Sequence, residues 1–149
     1  YYCMPNIFPH EEWEKRKLSV EKLAAHFNVD LLVGTYNHDM WKQHTIGLER
    51  EREGGARCFN CFEFLLRSTF EKAEELGFQH FATTLTISPH KNSNKIAEIG
   101  SQFATYTHFD FKKRDGYKRS IELSKELDLY RQQYCACEFS MNNSKIVTE

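Results

Sequence analysis

Helical spacing of apolar residues predicts most of the regular structure of this chain. After Pro9, which suits a first helical turn, residues 10–28 place apolar side chains mostly on one helical stripe. Glu11 and Glu12 suit the positive end of the helix dipole. A longer stripe ends just before Gly77, a residue typical of a left-handed helix cap. The predicted helices after the first cover residues 38–50, 58–76, from 92 or 93 onward, and 116–128.

Short apolar runs between these helices predict strands. The predicted strands cover residues 1–5, 31–33, 79–86 and 107–111. Because strands that alternate with helices are typical of βαβ units, we expect an α/β fold with a mostly parallel sheet and helices on both faces. Ligands of such sheets bind in the loops at the carboxyl ends of the strands. The loops in question are residues 37–39, 86–91 and 112–114.

Composition predicts a single ordinary globular domain over residues 1–149. Hydrophobic residues make up 40% of the chain and charged residues 28%. A net charge of −1 gives no general argument for nucleic acid or membrane, and no run approaches the ~18 apolar residues of a membrane span. Tyr1-Tyr2-Cys3 reads like the end of a strand already under way. We therefore expect the natural N-terminus, with a first strand and helix, to be missing.

The cysteines carry the strongest chemical signal. An odd count of five argues against a disulfide framework and favours metal or redox chemistry in a reducing compartment, here the cytoplasm. Cys58 and Cys61 form a CxxC, and Cys135 and Cys137 form a CxC. Four thiolates suit zinc or an iron–sulfur cluster equally well, although CxC is a poor match to a zinc ribbon. Buried thiols or a redox CxxC are the alternatives, and Cys3 is interpreted as a core residue.

Two further residues are candidates on weaker grounds. Asp39 follows the predicted strand at 31–33, where either Asn37 or Asp39 could cap a helix. The alternative is that Asp39 is a carboxylate ligand or an acid. His90 lies in a loop after a predicted strand, which is a common functional position, although an exposed loop histidine is the favoured interpretation from the sequence alone.

Residues 112–131 form a basic segment with interleaved tyrosines. Basic side chains outnumber acidic ones in this segment. Cations beside aromatic rings are the groups that bind phosphates and unstacked bases. The alternative is a solvated helix face with ion pairs.

Several motifs, taken in chain order, resemble the QueH-type epoxyqueuosine reductases over nearly the whole chain. The motifs are Pro5-Asn6-Ile7, Gly54-Gly55-Ala56-Arg57-Cys58 with Cys61-Phe62, Thr83-Thr84-Leu85 with Ser88-Pro89, Phe111-Lys112-Lys113, and Tyr130-Arg131-Gln132-Gln133-Tyr134-Cys135-Ala136-Cys137. The joint pattern is specific, whereas CxxC alone is not. The sequence departs from the family pattern at Ala136, where the family usually has Gly, and it lacks a further cysteine cluster expected before residue 1. We treat Ala136 as a small change.

The resemblance implies a Rossmann-like metalloenzyme that reduces epoxyqueuosine in tRNA to queuosine without cobalamin. It implies an iron–sulfur cluster, expected to be 4Fe-4S, and an additional metal ion, expected to be iron. Cys58, Cys61, Cys135 and Cys137 occupy the family's metal-binding positions. Asp39 falls where the family carries an Asp before a Trp, which favours a ligand role.

This reading also predicts partners and roles. The substrate is tRNA that bears epoxyqueuosine, an unidentified donor supplies electrons, no membrane is involved, and the oligomeric state is left open. Asp39 or His90 would give the proton to the epoxide oxygen. The residues expected to hold anticodon phosphates are Lys112, Lys113, Arg114 and Arg119. The main alternative is a tRNA- or protein-binding module with structural zinc and no redox activity; an adenine-nucleotide enzyme on a similar fold is a second.

Overall fold

The computed structural model describes residues 1–144, with side chains described to residue 141 in the last helix. These residues form six α-helices and one 3₁₀ helix. In chain order they are α1 (His10–Phe27), α2 (His38–His44), α3 (Ala56–Glu75), the 3₁₀ helix Thr84–Ile87, α4 (Ser93–Gly100), α5 (Gly116–Glu126) and α6 (Glu138–Ser144). Among these helices, none combines the length and the apolar character that crossing a membrane requires.

The predicted α/β, Rossmann-like fold with a mostly parallel sheet is wrong. The structure is 51% helix and 3% strand, and the described residues form no sheet. Within residues 1–144, isolated β-bridges pair Tyr2 with Val33 and Phe81 with Tyr106, both in parallel orientation. The residues of each bridge lie in segments predicted as strands or directly beside them. The apolar runs therefore predicted where single bridges form, but the predicted strands do not pair over their length.

The bridges do not extend because the neighbouring residues lack what a parallel strand requires. Strands of parallel sheets are normally covered on both faces, yet Leu32 and Val33 are both exposed. Beyond Phe81 the chain turns at once into the 3₁₀ helix. The side chain of Thr83 caps that helix by accepting a hydrogen bond from the Leu85 amide at 3.2 Å. Thr is common in strands, but its hydroxyl also competes for backbone amides at turns.

Most helix predictions are confirmed. Helices α1, α3, α4 and α5 match the predicted ranges closely, and Gly77 has a φ of 74°, as a left-handed cap requires. The second helix ends at His44, short of the predicted residue 50. Helix α6 was not predicted, because the sequence after Tyr134 shows no apolar periodicity.

The chain divides into two compact units. The first unit comprises Tyr1–Glu49 and the chain from Leu123 onward, and the second comprises Arg50–Glu122. In the second unit the apolar faces of α3 and α4 pack together. Its core side chains are Phe62, Leu66, Ala73, Phe81, Ile96, Ile99 and Phe103. Gly100 allows close packing, since a Cβ there would lie 2.2 Å from the Tyr106 ring.

The first unit has a smaller and more polar core. Tyr2, Ile7, Trp13 and Ala136 form its apolar cluster. Buried polar and charged side chains accompany them, chiefly Asn6, Glu12, Arg16 and Ser140. The cysteine segment 135–137 therefore lies against a core that depends on hydrogen bonds as well as apolar packing.

Candidate functional site

The CxxC lies at the start of α3 in the second unit. Cys58 is in the first turn and Cys61 in the next, and both side chains are half-buried. The Gly54 amide donates to the Cys58 sulfur at 3.2 Å. Placement of Cys58 at a helix N-terminus is as the sequence predicts, and an amide donor together with the helix dipole favours a thiolate there.

Arg57 braces the loop that leads into this helix. It is almost fully buried, and its Nη1 donates to the Glu51 carbonyl oxygen at 2.5 Å. The Glu51 carboxylate in turn accepts from the Ala56 amide at 3.3 Å. Arg57 thus has a structural role that its position beside Cys58 did not reveal.

The CxC lies in the first unit, directly before α6. The Ala136 carbonyl accepts from the Phe8 amide at 2.9 Å, and the Cys137 carbonyl accepts from the amide and the hydroxyl of Ser140. Ala136 is fully buried, with a φ of 119°. That conformation is disfavoured for any residue with a Cβ, so replacing glycine by alanine here is more than a small change.

A buried ion pair on α1 fixes the segment that precedes the CxC. Arg16 Nε donates to Glu12 Oε1 at 2.7 Å, and Arg16 Nη1 reaches the Cys135 carbonyl at 3.5 Å. The Tyr130 hydroxyl donates to Glu12 Oε2 at 2.9 Å. The guanidinium also lies 5.3 Å from the centre of the Tyr134 ring. Charged residues four apart on a helix usually face solvent, so periodicity gave no sign of this network.

The surroundings of two tyrosines in this network raise the pKa values of their phenols. Burial raises the pKa of Tyr130, and the hydrogen bond to Glu12 and its negative charge raise it further. Burial likewise raises the pKa of Tyr134, with the Glu12 carboxylate adding to the effect. Both phenols are therefore neutral hydrogen-bonding groups at ordinary pH.

Asp39 lies in the first turn of α2, in the first unit. The helix cap is Asn37, whose side chain accepts from the Met40 amide at 3.0 Å. Asp39 is exposed and is not the cap, so its carboxylate is available to solvent at a helix N-terminus.

A polar contact that the sequence did not indicate lies beside Asp39. His38 Nδ1 is 2.8 Å from the Pro5 carbonyl oxygen, which can only accept, so Nδ1 carries a proton. His38 Nε2 faces Glu138 Oε1 at 3.5 Å, and Lys42 Nζ lies 3.3 Å from the same oxygen. The contact joins α2 to the residue that follows Cys137.

His90 and the four predicted phosphate-binding residues of the basic segment lie in the second unit, which ends at Glu122. His90 is exposed in the turn after the 3₁₀ helix. Lys112 is half-buried, and its ammonium donates to the Lys91 carbonyl at 2.7 Å. Lys113, Arg114 and Arg119 are all exposed. Of these three, Arg119 has a nearby anion, because its Nη1 lies 3.6 Å from Glu122 Oε2. The charges of Lys113 and Arg114 are therefore well placed for an external anion.

The predicted ligands are thus distributed between the units. Cys58, Cys61 and His90 belong to the second unit, and Asp39 and the CxC belong to the first. Within either unit, the residues described bring no three His, Cys, Asp or Glu side chains together as a ligand group. Each unit contains one pair of cysteines that are close in sequence, and sulfur donors are of the type that iron–sulfur clusters and zinc both take.

Comparison with known proteins adds the family. The sequence profile described as Epoxyqueuosine reductase QueH matches residues 1–143. Proteins named epoxyqueuosine reductase QueH are similar to this chain in Streptococcus pyogenes serotype M1 (40% identity, covering 94% of this chain and 59% of that protein) and in Thermotoga maritima (36%, 95% and 78%). The Staphylococcus epidermidis protein of that name is 36% identical over 94% of this chain and 64% of its own length.

The chain spans about three fifths of the Streptococcus pyogenes relative, which it matches at 59% of that protein's length. The matched region includes both cysteine pairs, Asp39, His90 and the basic segment. The chain belongs to the epoxyqueuosine reductase QueH family.

Proposed function

We propose that this chain reduces epoxyqueuosine to queuosine in tRNA, using an iron–sulfur cluster and a nearby metal ion. The observation that carries the proposal is the family match over residues 1–143, which runs through both cysteine pairs. The relatives that share this region are named for that reaction. The chain would act in the cytoplasm with a separate electron donor.

The donor chemistry fits the proposed cofactors. Cys58, Cys61, Cys135 and Cys137 would provide the thiolates, and the exposed Asp39 carboxylate would provide a hard oxygen ligand. When bound, the cluster would supply single electrons and the metal ion would act as a Lewis acid. The buried Glu12–Arg16 pair would hold the backbone that carries Cys135.

The reaction sets the task of the other side chains. Loss of the epoxide oxygen as water, with formation of a carbon–carbon double bond, takes two electrons and two protons. Asp39 and His90 are both exposed to solvent, and one of the two would pass a proton to the oxygen. The general acid of the reaction would be the side chain that lies within hydrogen-bond distance of that oxygen in the complex with tRNA.

The substrate base would be presented from an unpaired anticodon loop, so no duplex must open. Lys113, Arg114 and Arg119 would contact phosphates, and Lys112 would brace the loop at Lys91. Neutralising phosphates releases counterions, so tRNA affinity should fall as salt rises. An affinity that does not change with salt would contradict this assignment.

The deciding experiment is metal analysis of the full chain purified without oxygen. We expect iron and acid-labile sulfide in comparable amounts, with a broad visible absorption that bleaches on reduction. Cys58→Ala and Cys137→Ala should lose iron and sulfide together. Cys3→Ala is the matched control and should keep both, because Cys3 belongs to neither pair.

The same protein is then assayed on epoxyqueuosine-tRNA with a chemical reductant. Formation of queuosine that depends on Cys58 and Cys137 supports the proposal. A colourless protein that contains zinc without sulfide would contradict it and would favour the structural zinc module.

A further inference from the structure

Two exposed phenyl rings stack on each other in the second unit. Phe109 and Phe111 have ring centroids 5.6 Å apart and an interplanar angle of 25°. Phe109 is 50% exposed and Phe111 is 38% exposed. Single exposed apolar residues are ordinary, whereas these two adjacent rings form a contiguous exposed apolar patch, and such patches mark interaction sites.

A buried hydroxyl fixes the backbone under both rings. Thr86 is fully buried, and its Oγ1 donates to the Phe109 carbonyl at 2.7 Å and accepts from the Phe111 amide at 3.4 Å. Asp110, which lies between the two phenylalanines in the sequence, is also held by hydrogen bonds. Asp110 Oδ2 accepts from the Ser93 hydroxyl at 3.3 Å, and Oδ1 accepts from the Lys112 amide at 3.2 Å.

The chain after the rings is also constrained. A Cβ on Gly116 would lie 1.9 Å from the Phe111 carbonyl oxygen, so only glycine allows this approach at the start of α5. Arg114 and Asp115 have φ values of 54° and 58°, and these left-handed residues turn the chain into the helix. The two rings are therefore presented on a pre-organised backbone, which lowers the entropic cost of binding.

Cations stand directly beside the rings in sequence. Lys113 and Arg114 are exposed, whereas the ammonium of Lys112 is already held by the Lys91 carbonyl. Aromatic rings that stack bases, together with cations that track the backbone, are the combination by which proteins bind single-stranded nucleic acid.

We propose that Phe109 and Phe111 form a stacking platform for an unpaired nucleobase of the RNA substrate, with Lys113 and Arg114 on the adjacent phosphates. This inference rests on the proposed function, because it takes a tRNA loop as the partner. The exposed cations favour an anionic partner over an apolar protein segment. The platform adds a base-binding element to the phosphate contacts predicted from the basic segment.

The test measures binding of the full chain to an RNA hairpin that carries 2-aminopurine in its loop. We expect Phe109→Ala and Phe111→Ala to weaken binding roughly tenfold each, since stacking on an aromatic ring accounts for that order of affinity per base. Both variants should also reduce the fluorescence quenching that stacking produces. A fully paired duplex of the same composition should bind equally to all variants.

Phe78→Ala is the matched control. Phe78 is an exposed phenylalanine in the same unit, 59% exposed, and it belongs to neither the platform nor the basic segment. Its removal should leave hairpin affinity and quenching unchanged. If Phe78→Ala weakens binding as much as Phe109→Ala, the platform is ruled out.

Conservative variants separate stacking from loss of fold. Phe109→Tyr keeps a ring and should bind like the parent chain, whereas Phe109→Leu keeps apolar volume only and should bind like Phe109→Ala. Lys113→Ala should instead reduce the slope of log affinity against log salt by about 1. Full affinity in Phe109→Leu would overturn the platform. Unchanged affinity in Phe109→Ala would overturn it as well, and this surface would then be interpreted as a contact for an apolar protein segment.

Failure of the platform and failure of the proposed function are distinguishable. If queuosine forms and both alanine variants bind normally, the platform falls and the enzyme assignment stands. If hairpin binding depends on both rings while no queuosine forms, the platform stands as an RNA-binding element and the enzyme assignment falls.

Discussion

The two units are stabilised by different kinds of core. The second unit packs the apolar faces of α3 and α4 together, and aromatic rings such as Phe81 and Phe103 belong to the same core. The first unit instead buries the Glu12–Arg16 ion pair, which contacts Tyr130 and Tyr134. An apolar core follows from periodicity, whereas a buried ion pair needs partners from distant parts of the chain.

The difference is informative because the first unit also carries the CxC. Tyr130 is the residue that meets Glu12, and Cys135 is the residue whose carbonyl meets Arg16. Both belong to the segment that ends at Cys137. The polar core therefore links α1 to the backbone at Cys135. Substitutions in this core should lower the stability of the unit and should also weaken binding of the proposed cofactor.

The largest effect is expected from breaking the buried pair. Glu12→Ala leaves the Arg16 guanidinium buried without its carboxylate and removes the acceptor of the Tyr130 hydroxyl. We expect a loss of about 4 kcal/mol in the free energy of unfolding. Urea unfolding followed by tryptophan fluorescence measures it, since Trp13 and Trp41 both lie in the first unit.

Glu14→Ala on the same helix is the control. Glu14 pairs with Lys17 at 2.6 Å on a more exposed part of α1. Such pairs contribute only about 0.5 kcal/mol. Equal losses in Glu12→Ala and Glu14→Ala would show that the polar core of the first unit is not what stabilises it.

The second unit is tested by Ile96→Ala. Ile96 is fully buried between α4 and the rest of its core, so the cavity should lower the free energy of unfolding by about 3 kcal/mol. Ile46, an exposed isoleucine of the first unit at 70% exposure, controls for the chemical change itself, and Ile46→Ala should change stability by less than about 0.5 kcal/mol. Far-UV circular dichroism during urea unfolding measures both, and a small loss for Ile96→Ala would contradict an apolar second core.

A stabilising change is expected at Ala136. Its φ of 119° is a glycine conformation, so Ala136→Gly removes strain that we estimate at about 1 kcal/mol. The gain should appear as a higher midpoint in the tryptophan-monitored urea titration. A lower midpoint would mean that the buried methyl group contributes more packing than its backbone costs.

The smallest effect on stability at neutral pH is expected from the tyrosines. Their contribution to the pH dependence of stability becomes measurable only in alkali. The pKa values of Tyr2, Tyr36, Tyr130 and Tyr134 in the first unit, and of Tyr106 in the second, are raised above the ordinary 10.0, chiefly by burial. Above pH 10.0 the unfolded chain loses these protons while the folded chain keeps them. Stability is therefore complete below this pH and falls as the pH rises through it.

Tryptophan-monitored unfolding across this pH range tests the sign. The first unit should lose stability in alkali, and Tyr130→Phe should make that loss less steep because one titrating group is gone. Tyr106→Phe, in the second unit, should leave the tryptophan-monitored slope unchanged. An alkaline slope of zero in the parent chain would contradict the burial of these phenols.

Local pattern predicted the helices and failed at the sheet. Helix α3 was readable because its apolar stripe and Gly77 are signals within a few residues of one another. The strands were not predictable in this way, because pairing depends on a distant segment, and within residues 1–144 Val33 and Phe81 each pair with a single residue. A short apolar run predicts extended backbone, but Leu32 and Val33 are exposed, so such a run by itself shows neither burial nor pairing.

The candidate site divides in the same way. The sequence by itself determined the family, the two cysteine pairs and a helix that begins close to Cys58, because motif spacing and helix signals are local. Only the tertiary structure decided that Glu12 and Arg16 are buried, that Ala136 takes a glycine conformation, and that Phe109 and Phe111 stack at the surface. Burial, backbone strain and ring stacking depend on which distant residues meet, and that information appears only when the chain is packed.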